Sequence, residues 1–186
     1  MIRSIGVIGA GQMGNGIAHV ASLKGYPVHL VDIDQRQIDK AKDVIGQNMA
    51  RQVKRELITD ADRQAAMGRI SFGRDFGLLK DCDIVIEAAT EKEEVKREIL
   101  KQLCPVLKPE AIIASNTSSI SITRLAAATD RPARFMGMHF MNPVPLMKLV
   151  ELIRGLRTSD ETFRVTRDLG VKLGKDCIES RDCASQ

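Results

Sequence analysis

The chain has 186 residues, 44% hydrophobic and 28% charged, an ordinary globular composition with room for one sizeable core. Aromatic residues make up 3% and tryptophan is absent, which argues against a nucleic-acid surface built on stacked bases. The net charge of +4 suits an anionic small molecule and equally suits plain solubility, and no stretch approaches the roughly 18 apolar residues of a membrane span.

Ile5 to Ile8 is a short apolar run and predicts a buried strand. A glycine-rich turn follows, then helical periodicity from Met13 to Lys24, with Gly25 placed to cap that helix. Pro27 to Val31 predicts a second strand, which completes a unit of about 30 residues, the length of one βαβ crossover. Asp34 to Arg55 predicts a long polar helix whose end is basic (Arg51, Lys54, Arg55), and 59–67 a second helix. Further strands are expected at 69–72, 83–87, 111–115, 135–139, 148–153 and 177–179, and further helices at 91–107, 122–128 and 160–173. This alternation predicts an α/β fold, a Rossmann-like, doubly wound and mainly parallel sheet with a helical excursion after the second strand. No repeat, low-complexity tract or linker divides the chain, so residues 1–186 read as one domain, and 181–186 adds no closing element.

Met1 leads straight into the first strand, without the long apolar run and cleavage site of a secretory signal. Cys82, Cys104, Cys177 and Cys183 are scattered and lack metal-ligand spacing, so no metal site is expected. They read as reduced, incidental thiols in a cytoplasm-like compartment, and a processed mitochondrial matrix protein would look the same.

Three motifs carry chemistry. The first is Gly9-Ala10-Gly11-Gln12-Met13-Gly14, a GxGxxG set directly between a strand and a helix. Gly9 permits the tight turn, Gly11 removes any side chain between backbone and a pyrophosphate, and Gly14 lets the helix pack close to the sheet. The helix N-terminus then offers free N–H groups to phosphates. Asp32 ends the second strand, 18 positions after Gly14. A carboxylate there accepts both ribose hydroxyls of an adenosine and repels a 2′-phosphate, which favours NAD over NADP; nearby Arg36 is the one feature that softens this. A ligand-free turn and a helix N-cap are the plain alternatives for these two features.

The second motif is the polar run Ser115-Asn116-Thr117-Ser118-Ser119 at the carboxyl end of a strand, where open α/β sheets bind ligands. Taken alone, such a run is also an ordinary capping turn. The third is His139-Phe140-Met141-Asn142-Pro143-Val144-Pro145. His139 is a candidate base. Glu151 comes twelve residues later on the next strand and could orient the imidazole if the proline-rich turn folds that strand back. A lone strand-end histidine is otherwise a structural residue.

Together these runs, with the segment Met147-Lys148-Leu149-Val150-Glu151, resemble the short-chain L-3-hydroxyacyl-CoA dehydrogenase family over essentially the whole chain. The resemblance implies His139 as catalytic base, Glu151 as its orienting carboxylate, and Ser118 and Asn142 as holders of the substrate's reacting oxygen. It implies NAD as cofactor, bound by Gly9, Gly11, Gln12, Met13, Gly14 and Asp32, with Ala88, Glu91, Lys96 and Asn116 lining the cofactor site. It implies an acyl-CoA substrate, touched by Asn48 and the Lys54-Arg55 pair, with no nucleic-acid or membrane partner. The implied reaction is reversible oxidation of an L-3-hydroxyacyl-CoA, such as 3-hydroxybutyryl-CoA, in fatty-acid or butyrate metabolism. Relatives continue past the position of Arg181-Asp182 into a helical domain that carries the dimer interface. The 186 residues lack it, so they are expected to be monomeric, to bind NAD and to turn over weakly. Two other readings stay open: an NAD-binding module without catalysis, and a dehydrogenase of 3-hydroxy acids that carry no CoA.

Overall fold

The computed structural model describes residues 1–183; the last three residues of the 181–186 segment lie outside the described part. The first crossover is β1 (Ile5–Ile8), α1 (Gln12–Leu23) and β2 (Val28–Val31). The excursion consists of α2 (Gln35–Lys54) and α3 (Asp60–Gly68), followed by β3 (Ile70–Gly73). Alternation resumes with β4 (Ile84–Glu87), α4 (Glu93–Leu103), β5 (Ile112–Ser115), α5 (Ile122–Ala126) and β6 (Phe135–Phe140). The last elements are β7 (Leu149–Ile153), α6 (Asp160–Lys172) and β8 (Asp176–Ser180).

The eight strands form one sheet in the order β3-β2-β1-β4-β5-β6-β7-β8. The first six run parallel. β7 is antiparallel to β6, and β8 runs parallel to β7. The chain winds outward from β1 on both sides, so the carboxyl ends of β1 and β4 flank the switch point at which such sheets bind ligands.

β1, β4 and β5 are buried at every position, which is why they read as continuous apolar runs and not as alternating ones. One face of the sheet is covered by apolar stripes of α1, α2 and α6, including Ile17, Ile45 and Leu169. The other face takes Leu100 and Leu103 of α4 and Leu125 of α5. In α2 the buried positions Ile38, Ala41, Ile45 and Met49, with Gly46 beside them, lie on one stripe, while most of the polar residues of the helix are exposed.

Caps set several helix starts. The Asp34 carboxylate accepts the Arg36 N–H at 2.9 Å, Thr59 and Asp62 form a reciprocal capping box, and the Ser159 hydroxyl accepts the Thr162 N–H at 3.1 Å. α4 ends four residues earlier than its periodicity predicts, because Pro105 has no N–H with which to continue the ladder. Short 3₁₀ turns at Phe76–Leu79 and Pro132–Arg134 are too brief to show a period. β8 is five residues long rather than three, since it pairs with β7 along its whole length.

The first glycine turn is the tightest junction. A Cβ on Gly14 would lie 1.6 Å from the Gly9 carbonyl oxygen, so α1 cannot seat against β1 with any larger residue there. Gly14→Ala is therefore expected to lose about 1–3 kcal/mol of stability, seen as a melting temperature lower by roughly 2–4 °C per kcal/mol. An unchanged thermal transition would show that the turn relaxes freely.

Candidate active site

The glycine turn is shaped from both sides. Gly9 has φ +101°, a conformation side chains rarely adopt, and a Cβ there would press on the Ala88 carbonyl at 2.6 Å. Gly11 differs, because a Cβ there would meet nothing within 4 Å. The fold does not need glycine at that position, whereas close approach of a ligand does. α1 starts at Gly11 with no side-chain cap, unlike α2, α3 and α6. The N–H groups of its first turn are thus left to an external acceptor, and the dipole of a 12-residue helix favours an anion there.

Asp32 closes the mouth of this turn. Its carboxylate accepts the Ala10 N–H at 2.9 Å and the Asp34 N–H at 2.8 Å, which pins both oxygens and leaves each with a further lone pair. Beside it lies a slot of about 360 Å³ flanked by Ile33, Phe76, Val95 and Ile99. Ile33 is 76% exposed and Val95 43%, an apolar surface suited to a flat ring. Nothing in the periodicity marks these residues, because they come from three separate segments. Open backbone, uncapped N–H groups, a ribose-spaced carboxylate and an apolar slot together fit a dinucleotide. Of the remaining turn residues, Gln12 is exposed toward the site, while Met13 packs its side chain against the core and offers only its backbone.

At the same edge, β6 and β7 place His139 directly opposite Glu151. The His139 Nδ1 and Glu151 Oε1 are 3.2 Å apart, with 20% and 30% of the two side chains exposed. The Ser180 hydroxyl, at the end of β8, donates to Glu151 Oε2 at 2.7 Å. The Ser180 hydroxyl and the His139 ring hold the Glu151 carboxyl below its ordinary value. Glu151 is thus ionised near neutral pH and can only accept, so the imidazole must donate from Nδ1 and leave Nε2 free. Ser180 was not singled out by the sequence motifs, since one serine in an edge strand carries no pattern.

Ser118 is exposed and shares with His139 and Glu151 a small cavity of about 60 Å³. Asn142 is also exposed but lines a different cavity, of about 340 Å³, together with Gly11, Gln12, Lys40 and Asn48. The proline-rich loop after β6 carries Asn142 beside the start of α1, so His139, Glu151 and Ser118 share one space while Asn142 lines another. Lys40 and Asn15 join that larger space unannounced by the motifs.

Two of the other predicted residues, Lys96 and Asn116, are buried and engaged in internal hydrogen bonds. Lys96 does not line a cofactor surface: it is fully buried, and its Nζ donates to both oxygens of Glu87 at 2.7 and 2.9 Å. Burial of a cation demands such a partner, and Glu87 supplies it. Asn116 is 8% exposed, and its side-chain oxygen is taken by the Phe140 N–H at 2.8 Å. Glu91 follows β4 and accepts the Thr117 and Ser119 hydroxyls at 3.0 and 2.8 Å. Ala88 presents its carbonyl to Gly9. Lys54 and Arg55 are exposed at the end of α2 and line neither cavity that α2 borders, whereas Asn48 does line one.

The family model described as 3-hydroxyacyl-CoA dehydrogenase, NAD binding domain, matches residues 4–183. The chain belongs to this family. Within it, the chain is 57% identical over 182 residues to the 3-hydroxybutyryl-CoA dehydrogenase of Bradyrhizobium diazoefficiens, covering 98% of this chain and 62% of that relative. It is 42% identical over 181 residues to the probable 3-hydroxybutyryl-CoA dehydrogenase of Bacillus subtilis, covering 97% and 63%. The crystal structure of (S)-3-hydroxybutyryl-CoA dehydrogenase PaaH1 from Ralstonia eutropha superposes with a TM-score of 0.96 at 48% identity, over 98% of this chain and 65% of that one. The chain thus spans somewhat over three fifths of the length of these 3-hydroxyacyl-CoA dehydrogenase relatives. NAD is the cofactor of this domain, and the residues of the glycine turn would hold it.

Two outcomes follow from this geometry. Gly11→Ala should leave the melting temperature unchanged and weaken NAD binding by about ten-fold or more, measured by calorimetric titration; unchanged affinity would remove Gly11 from the cofactor surface. Ser180→Ala should raise the Glu151 carboxyl toward its ordinary value of 4.5, read by carbon-detected NMR titration. A carboxyl depressed in the folded state gives stability that is complete above its unfolded value and is lost as pH falls through the folded one. The wild-type protein should therefore hold its stability further below pH 4.5 than the variant does.

Proposed function

We propose that the protein carrying this chain catalyses the reversible, NAD-dependent oxidation of an L-3-hydroxyacyl-CoA, such as 3-hydroxybutyryl-CoA, to the 3-ketoacyl-CoA. The observation that carries this reading is the His139–Glu151 pair at the carboxyl edge of the sheet on which the glycine turn also lies. The names of the relatives support the substrate class.

Bound NAD would supply the hydride acceptor. His139 acts as general base, its Nε2 taking the proton of the substrate hydroxyl. Glu151 holds the ring through Nδ1 and balances the imidazolium that results. Ser118 and Asn142 donate to the oxygen on which charge develops. The larger cavity, with Asn48 and Lys40 along α2, takes the thioester arm, whose part is positioning. Asp32 selects NAD by facing the adenosine ribose. Four free thiols suit a reducing, cytoplasm-like compartment, and among the described residues no helix is long and apolar enough to cross a membrane.

His139→Gln is the direct test. It should slow NADH-dependent reduction of acetoacetyl-CoA by about 10²–10⁴-fold, while NAD affinity stays within about two-fold. Full activity in the variant would refute the assignment of the base. Equal rates with acetoacetate and acetoacetyl-CoA would refute the assignment of a CoA ester.

A further inference from the structure

Glu87 lies at the end of β4 with no exposure, and neither the glycine motif nor the His–Glu pair uses it. Its carboxylate receives four hydrogen bonds. Lys96 Nζ donates to Oε1 and Oε2 at 2.7 and 2.9 Å, the Ser115 hydroxyl to Oε1 at 2.8 Å, and the Ala89 N–H to Oε2 at 2.9 Å. Glu87, Lys96 and Ser115 are all 0% exposed. A fully desolvated ion pair is poor value as a stability device, because apolar residues of the same volume generally serve as well. Its retention here points to what its bonds hold in place.

They hold two things. On one side, Ala89 belongs to the turn whose backbone packs against Gly9, so the carboxylate fixes the wall of the cofactor turn. On the other side, Ser115 pairs with Glu87 across β4 and β5, and the next residue, Asn116, donates its N–H to the Glu87 carbonyl at 2.8 Å. The Asn116 side-chain oxygen then accepts the N–H of Phe140, the residue after His139. A continuous set of bonds therefore runs from the cofactor turn, through Glu87 and Ser115–Asn116, to the strand that carries His139. The strand ends involved are those of β4, β5 and β6.

We infer that Glu87 is a positioning residue that sets the placement of the NAD turn relative to the His139 strand, with Lys96 as its buried partner. Only an ionised carboxylate can accept from an amide, a hydroxyl and an ammonium together; a glutamine amide would turn a donor toward one of them and leave Lys96 unpaired. The His139 end of this inference rests on the catalytic reading above, whereas the NAD end does not.

The test removes both charges together with Glu87→Gln/Lys96→Met, so that no buried ion is stranded. Expected are a melting temperature within a few degrees of wild type and an NAD dissociation constant raised about ten-fold, measured by calorimetric titration. Ser115→Ala cuts only the link toward β5. It should leave NAD affinity within about two-fold and shift the NMR signals of the Phe140 amide and the His139 ring. Wild-type NAD affinity in the paired variant, or unmoved Phe140 and His139 signals in Ser115→Ala, would overturn the assignment. Should the paired variant fail to fold, Ser115→Ala decides by the same signals. These readings are made without turnover, so a failed acyl-CoA activity and a failed Glu87 role are told apart.

Discussion

The contact between His139 Nδ1 and the Glu151 carboxylate is the constraint on which the site depends. It exists because β7 runs back alongside β6 in a register that sets the two residues opposite each other. A slip of one residue would turn one side chain to the other face of the sheet. The register is held by burial: Met138, Phe140, Val150 and Leu152 flank the pair and are all at most 1% exposed. The apolar core thus selects a geometry that electrostatics alone, across a partly exposed 3.2 Å contact, would not secure.

The rest of the site is assembled on the same edge by a different logic. Parallel strands deliver backbone ends and helix starts to one side of the sheet, and what is left unsatisfied there becomes binding capacity. α1 lacks the side-chain cap that α2, α3 and α6 possess. Gly11 leaves space where any other residue would place a side chain. Asp32 uses two backbone N–H groups to hold itself at the mouth of the turn. Behind this open surface, Glu87 and Lys96 form a buried pair bonded to the cofactor turn through the Ala89 N–H.

Much of this was legible in the residue order. The alternation of short apolar runs with helical periods is enough for a mainly parallel sheet. The eight residues between Phe140 and Leu149 are too few for a parallel crossover, which needs a dozen or more, so β7 has to turn back. The sequence motifs paired His139 with Glu151 on the condition that this turn folds the strand back, and the register shows that it does. Lys96 was expected along the cofactor site, but its spacing on α4 says nothing about whether its tip reaches the surface or an acid beneath it, and it meets Glu87. The side-chain oxygen of Asn116 braces Phe140, a contact that no sequence motif announces. Ile33, Phe76 and Ser180 had no local signal, since each acts only through neighbours brought near by the fold.

The account comes down to which ring nitrogen of His139 carries the proton when the imidazole is neutral. Nitrogen-15 NMR of the side chain in its neutral form reads this directly. The geometry predicts protonated Nδ1 held by Glu151 and a bare Nε2 facing the substrate space. A neutral ring protonated at Nε2 would contradict it, because the free lone pair would then face the acid and no base would face the hydroxyl.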